Sequence, residues 1–208
     1  MSREIIEEIK SFLESQEEVR GKILDVSHRA IRKSSSAMTA LHRNDFEEVK
    51  EILSEAREDI ETLNEILDSE PQFSDYGALL AAHREYAEVN LTMAFIRGEE
   101  PGSPEDLGVL KKAYVQALAE SVGELRRHTL DLLRGDKVSE ASEIYDKMEE
   151  IFDELTEFDF PDSILSGFRH RRDVARRSLE KTRGDLTNAV RQKNLEASLE
   201  EVERKLED

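Results

Sequence analysis

Cysteine and tryptophan are absent from this 208-residue chain, only four prolines and nine glycines occur, and aromatics are 6%. Without cysteine there is no disulfide scaffold and no thiolate site for zinc or iron–sulfur clusters. So few breakers leave room for long helices. No apolar run approaches the roughly 18 residues of a membrane span. The N-terminal segment Met1-Ser2-Arg3-Glu4-Ile5-Ile6-Glu7-Glu8 is acidic where a signal or transit peptide would be basic. A cytoplasmic protein with no membrane partner is expected, and the length suits one domain over residues 1–208.

What the chain does have is charge: 38% of its residues are charged and the net formal charge is −18. Taken whole, that argues against a nucleic-acid partner. The distribution says otherwise. Residues 20–43 carry Arg20, Lys22, Arg29, Arg32, Lys33 and Arg43 against Asp25, a net of +5. Residues 169–183 carry Arg169, Arg171, Arg172, Arg176, Arg177, Lys181 and Arg183 against Asp173 and Glu180, again +5, which leaves −28 on the remainder. Two basic segments in an acidic frame suit a surface that accepts anions on one side and repels them on another. The competing reading is that they pair with acidic neighbours across helices.

Apolar residues recur at three and four, the helical period, and no alternating strand pattern occurs. Ile5, Ile9, Phe12, Val19, Ile23, Val26, Ala30, Ala37 and Leu41 form one stripe on a long first helix. Asn44-Asp45 offers a cap for a second helix carrying Phe46 to Leu67. Ser74-Asp75 is placed to cap a third, ending at Gly98. A fourth runs from near Val109 to Arg134 and a fifth from Val138 to Glu157. A sixth follows Pro161, capped by Asp162 or Ser163. Gly184-Asp185 is read as a break before a polar seventh, peripheral or frayed over residues 185–208. The prediction is an all-α, single-domain bundle of six or seven helices. On the first helix Lys22, Arg29, Arg32, Lys33 and Arg43 fall near one face. On the sixth, Arg169, Arg172, Arg176 and Arg183 align, so two basic ridges could flank a groove that follows a phosphate backbone.

Two carboxylate pairs stand out from the other glutamates. Glu85 and Glu88 lie three apart in the third helix, and Glu120 and Glu124 four apart in the fourth, each pair on one face and each in apolar surroundings. Four carboxylates facing one another are tolerable only with protons or cations between them, and hard oxygen ligands select Mg²⁺ or Mn²⁺. A carboxylate-held metal stabilises charge on the attacking and leaving oxygens of phosphodiester cleavage. Gly123 would let a neighbouring backbone or a substrate come close. The competing reading has these glutamates salt-bridged to Arg84, Arg126 or Arg127, and it is the commoner outcome for such spacing. A di-iron site is disfavoured, because no Glu-x-x-His occurs in either helix. His28, His42, His83, His128 and His170 are scattered and read as surface or packing residues.

The same residues carry a resemblance. Leu41-His42-Arg43, Arg84-Glu85-Tyr86-Ala87-Glu88 and Tyr114 followed by Glu120-Ser121-Val122-Gly123-Glu124-Leu125-Arg126-Arg127 are similar to the translin superfamily. Within it they are similar to the branch of translin-associated factor X (TRAX), in the form of a prokaryotic or archaeal homologue with the loop shortened to Gly98–Pro104. The resemblance covers most of the chain. It implies an all-α fold, a hollow octameric homo-oligomer, and a metal-dependent endoribonuclease whose four carboxylates stand at Glu85, Glu88, Glu120 and Glu124. Translin, which binds nucleic acid without the full acidic set, has a basic residue in place of Glu88 and an apolar one in place of Glu120. The family's aspartate is Glu120 here, one methylene longer, a departure that bears on metal geometry.

The expectation is therefore an Mg²⁺- or Mn²⁺-dependent endoribonuclease. Arg20, Lys22, Arg29, Arg32, Lys33, Arg43, Arg169, Arg172 and Arg176 would contact RNA, or single-stranded DNA, through phosphates. A translin-type partner subunit is a further expectation. The alternatives are a non-catalytic translin-like nucleic-acid-binding oligomer and a helical scaffold that never touches RNA.

Overall fold

A computed structural model describes residues 3–207, so Met1, Ser2 and Asp208, ends of the expected domain, lie outside the described residues. The helices are α1 (Arg3–His42), α2 (Phe46–Ser69), α3 (Gly77–Arg97), α4 (Pro104–Leu107), α5 (Lys111–Arg134), α6 (Val138–Thr156) and α7 (Phe168–Glu207), with a 3₁₀ turn at Pro71–Phe73. No strand occurs among the described residues, so the all-α expectation holds. No helix there is long and apolar enough to cross a membrane.

The chain divides into two compact units. One holds residues up to 93 together with 102–117, the other 94–101 together with 118 onward.

The first unit is built on the α1–α2 hairpin. The turn needs a left-handed residue, and Asn44 supplies it at φ 58°. Asp45 caps α2, its Oδ1 accepting the Glu48 amide at 3.2 Å. Ile23, Val26, Ala30, Ala37 and Leu41 of α1 are buried, as are Val49, Leu53, Ala56, Ile60 and Leu63 of α2. At 1.5 Å per residue the 40 residues of α1 span roughly 60 Å and the 24 of α2 roughly 36 Å. The overhang is the N-terminal end of α1. The far end of α2 meets α1 at Gln16, which donates to Glu70 at 3.4 Å and accepts from Gln72 at 3.2 Å. Before that point the apolar stripe faces water: Ile5, Ile6, Ile9, Phe12 and Leu13 are 45–60% exposed.

The third helix starts later than the Ser74-Asp75 cap predicts. Asp75 instead pairs with Lys112 at 2.5 Å, and the first helical bond runs from the Leu80 amide to the Tyr76 carbonyl. Gly98 ends α3 at φ +66° as expected. The short α4, starting where the Gly98–Pro104 loop ends, has a reciprocal capping box between Ser103 and Asp106.

The second unit packs Val122 and Leu125 of α5, Met148, Ile151 and Leu155 of α6, and Phe168, Ala175, Leu179 and Leu186 of α7 out of solvent. Phe158 meets Phe168 edge-on with centroids 6.0 Å apart. Two sequence expectations are corrected here. Asp162 and Ser163 do not begin a helix; residues 162–167 form turns closed by Ile164 and Leu165 amides on the Pro161 carbonyl. And Gly184-Asp185 breaks nothing. The predicted sixth and seventh helices are one 40-residue helix. One interior glycine costs only about 1 kcal/mol. Asp185 is instead clamped by Arg126 of α5 at 2.9 Å. Beyond Leu186 the helix again carries exposed apolar residues, with Leu195, Leu199, Val202 and Leu206 53–81% exposed.

Candidate functional site

The four candidate carboxylates fall into both units, Glu85 and Glu88 in the first, Glu120 and Glu124 in the second. On α3, Tyr86, Ala87 and Val89 are buried, which holds the Glu85–Glu88 face at the surface of the core, with Glu85 half-buried. The Glu85 carboxylate meets the guanidinium of its neighbour Arg84 at 2.9 Å, with side chains 32% and 17% exposed. On α5, Ser121, Val122 and Leu125 are buried, leaving Glu120 and Glu124 half-buried beside them. Glu120 Oε1 accepts from Arg171 Nε of α7 at 2.7 Å. At least one acid in each pair is thus neutralised by a guanidinium. The Arg84 pairing is one the competing sequence reading names; the Arg171 pairing is one it misses, since residues 51 apart leave no local pattern.

Among the described residues no group of three or more His, Asp or Glu side chains is placed to hold a metal ion. A pair of carboxylates still fits a hard cation. Mg²⁺ keeps several waters and takes one or two protein carboxylates, substrate phosphates supplying the rest. The donors present are all carboxylate oxygens, the type that suits Mg²⁺ or Mn²⁺. A Cβ at Gly123 would meet nothing within 4 Å among the described residues. Gly123, Arg126, Arg127, Leu130, Asp131 and Arg134 line an open groove of about 400 Å³.

The basic residues are placed unevenly. In the first unit, Arg20 donates to the Tyr76 hydroxyl at 3.0 Å and lies over that ring. Lys22 pairs with Glu18 at 2.7 Å and Arg43 with Glu48. Arg29 and Lys33 converge on Asp59, a buried carboxylate of α2, each at 2.9 Å. Arg32 is exposed and has no ion pair among the described residues. In the second unit, Arg176 pairs with Asp173 at 2.7 Å, Arg169 stands 3.5 Å from Asp159, and Arg172 donates to the Phe158 carbonyl at 3.2 Å. Arg183 is drawn onto Tyr145 and Glu149 of α6. Among these candidate cations, Arg20 and Arg32 are exposed with no ion pair among the described residues, and Arg20 is held by Tyr76.

No family model matches the chain. Solved structures do. A structure described as AfC3PO in complex with duplex RNA is 31% identical, with a TM-score of 0.81 over 88% of this chain and 95% of that one. A crystal structure of AfC3PO is 32% identical, again at TM-score 0.81, over 88% and 96%. The chain belongs to the translin superfamily. Apo-NeC3PO, 21% identical at TM-score 0.79 over 91% of this chain and 98% of that one, shares the translin fold. An uncharacterised protein of Methanocaldococcus jannaschii is 29% identical over 195 residues, covering 93% of this chain and 86% of that protein. Within the translin frame, Tyr114 of the motif that carries the resemblance fastens the shortened loop, its hydroxyl donating to the Gly102 carbonyl at 3.0 Å.

Proposed function

We propose that this translin-superfamily chain is an RNA-binding, divalent-metal-dependent endoribonuclease of the TRAX type. The observation that carries the reading is the 31% identity and 0.81 TM-score to a C3PO structure bound to duplex RNA. It is supported by acids at Glu85, Glu88, Glu120 and Glu124. Each of these acids would be a ligand of Mg²⁺ or Mn²⁺. Such an ion supplies a hydroxide at neutral pH and stabilises charge on the phosphodiester oxygens. The protein's own part is to hold the acids at the edge of the core, where their charge is little screened, and to grip the RNA by its phosphates. Arg32 leads that grip, with Arg20, Lys22, Arg29, Lys33, Arg43, Arg169, Arg172 and Arg176 as further contacts. Phosphate contacts of this kind position the strand without reading bases. The working form would be a homo-oligomer, an octamer by family likeness, alone or with a translin-type second subunit, acting in the cytoplasm.

The pairing of Glu85 with Arg84 and of Glu120 with Arg171 favours a second reading. With their acids so compensated, the chains would form a non-catalytic translin-like oligomer that binds RNA or single-stranded DNA. Cleavage of labelled single-stranded and duplex RNA with Mg²⁺, Mn²⁺ or EDTA separates the two. The nuclease reading expects metal-dependent cleavage that Glu88→Ala abolishes while RNA binding and oligomer mass persist. Cleavage that survives in Glu88→Ala removes Glu88 from the metal set, and no cleavage under any metal leaves the binding reading.

A further inference from the structure

Arg171 stands in the first turn of α7, with Phe168, Arg169 and His170 and without any acid. The positive end of the helix dipole makes that turn a poor place for cations and a good one for carboxylates. Helix stability therefore does not explain Arg171. Its surroundings do place it. Nε donates to Glu120 Oε1 at 2.7 Å, and Nη1 lies 3.5 Å from the Ser166 carbonyl. Gly167 adopts φ +66°, and a Cβ there would stand 2.7 Å from Arg171 Nη1. The backbone conformation at the residue before the helix favours glycine, and a Cβ there would push the guanidinium aside. Arg171 and Glu120 are only 23% and 26% exposed, so water screens the pair weakly.

We propose that Arg171 is a built-in competitor for the divalent cation at Glu120. This rests on the metal-site reading above. A hard cation on the Glu120 carboxylate would stand against the guanidinium, and like charges in a half-buried place repel strongly. Metal binding therefore has to loosen the Arg171–Glu120 pair. By linkage, the pair weakens metal binding by the same factor. The intrinsic cation affinity of the Glu120–Glu124 pair is higher than the intact chain displays. Arg171, once loosened, is a cation at the edge of the α7 basic segment, free to take a phosphate.

The test is direct Mn²⁺ binding to the full chain, by calorimetry and by the spin-resonance signal of free Mn²⁺. Arg171→Gln should bind Mn²⁺ roughly 5- to 150-fold more tightly than wild type, the usual range of such couplings. Gly167→Ala, which forces the guanidinium off its seat by a different route, should shift affinity the same way. Arg171→Lys, which keeps the charge, should stay near wild type. Adding Glu120→Gln to Arg171→Gln should abolish the gain. Wild type that binds Mn²⁺ with Arg171→Gln no tighter overturns the competition and leaves the metal site standing. A gain that survives Glu120→Gln also overturns it, by placing the ion elsewhere. No binding by either protein overturns the metal reading and this inference with it.

Discussion

The ring nitrogen Nδ1 of His83, in the middle of the first unit, accepts a hydrogen bond from the backbone amide of Leu110 at 3.3 Å. That bond fixes the proton of the neutral ring on Nε2, which is buried without a partner among the described residues. Burial pushes the His83 pKa down to about 4. The unfolded chain, with an ordinary histidine, binds the proton more readily. Stability from this group is therefore intact above pH 6.5 and lost progressively as pH falls toward 4. The linkage predicts a loss on the order of 2 kcal/mol between about pH 7 and pH 5. Urea denaturation across that range checks it, since His83→Gln should lose this share of the slope.

The continuity of α7 predicts the effect of a single methyl. A Cβ at Gly184 meets nothing within 4 Å, and the residue sits inside a helix. Gly184→Ala should raise stability by about 0.5–1 kcal/mol, seen as a higher Tm. A lower Tm would mean the backbone does bend there, as the sequence pattern suggests.

Arg29 and Arg32 are neighbours in sequence that should separate in experiment. Arg29 shares the buried Asp59 carboxylate with Lys33. Arg29→Ala therefore weakens the fold as well as RNA binding, by about 1 kcal/mol given its half-exposed side chain. Arg32→Ala should leave the urea midpoint unchanged. It should reduce the slope of log binding constant against log salt by about 0.7–0.9, one phosphate contact. An unchanged slope would take Arg32 out of the interface.

Periodic apolar spacing made the helices legible, and single residues made several ends legible: Asp45 as a cap and Gly98 as a stop. Two of the ends it misplaced involve partners distant in sequence; the third, at Asp162 and Ser163, loses to a local turn on the Pro161 carbonyl. Asp75 and Asp185 read as helix starts because a short acid after a break is a good cap, yet Lys112 and Arg126 take them. The candidate site follows the same division. Two acids at helical spacing in an apolar stretch are visible in one dimension, and so are clustered arginines. That Arg171 rather than Arg126 or Arg127 meets Glu120, and that Asp59 collects Arg29 and Lys33, depends on helix packing. No local pattern encodes it.

The water-facing stripes at the ends of α1 and α7 give the net charge of −18 a further meaning. Ile9, Phe12 and Leu13 at one end and Leu195, Leu199 and Leu206 at the other are spaced to adhere to other apolar helices. What holds stray copies apart is mutual repulsion between acidic surfaces. That repulsion vanishes near pH 4.8, where the chain's charges balance. The acidity that looked like a bar to nucleic acid is also a colloidal safeguard, set against the stickiness of two long helix ends.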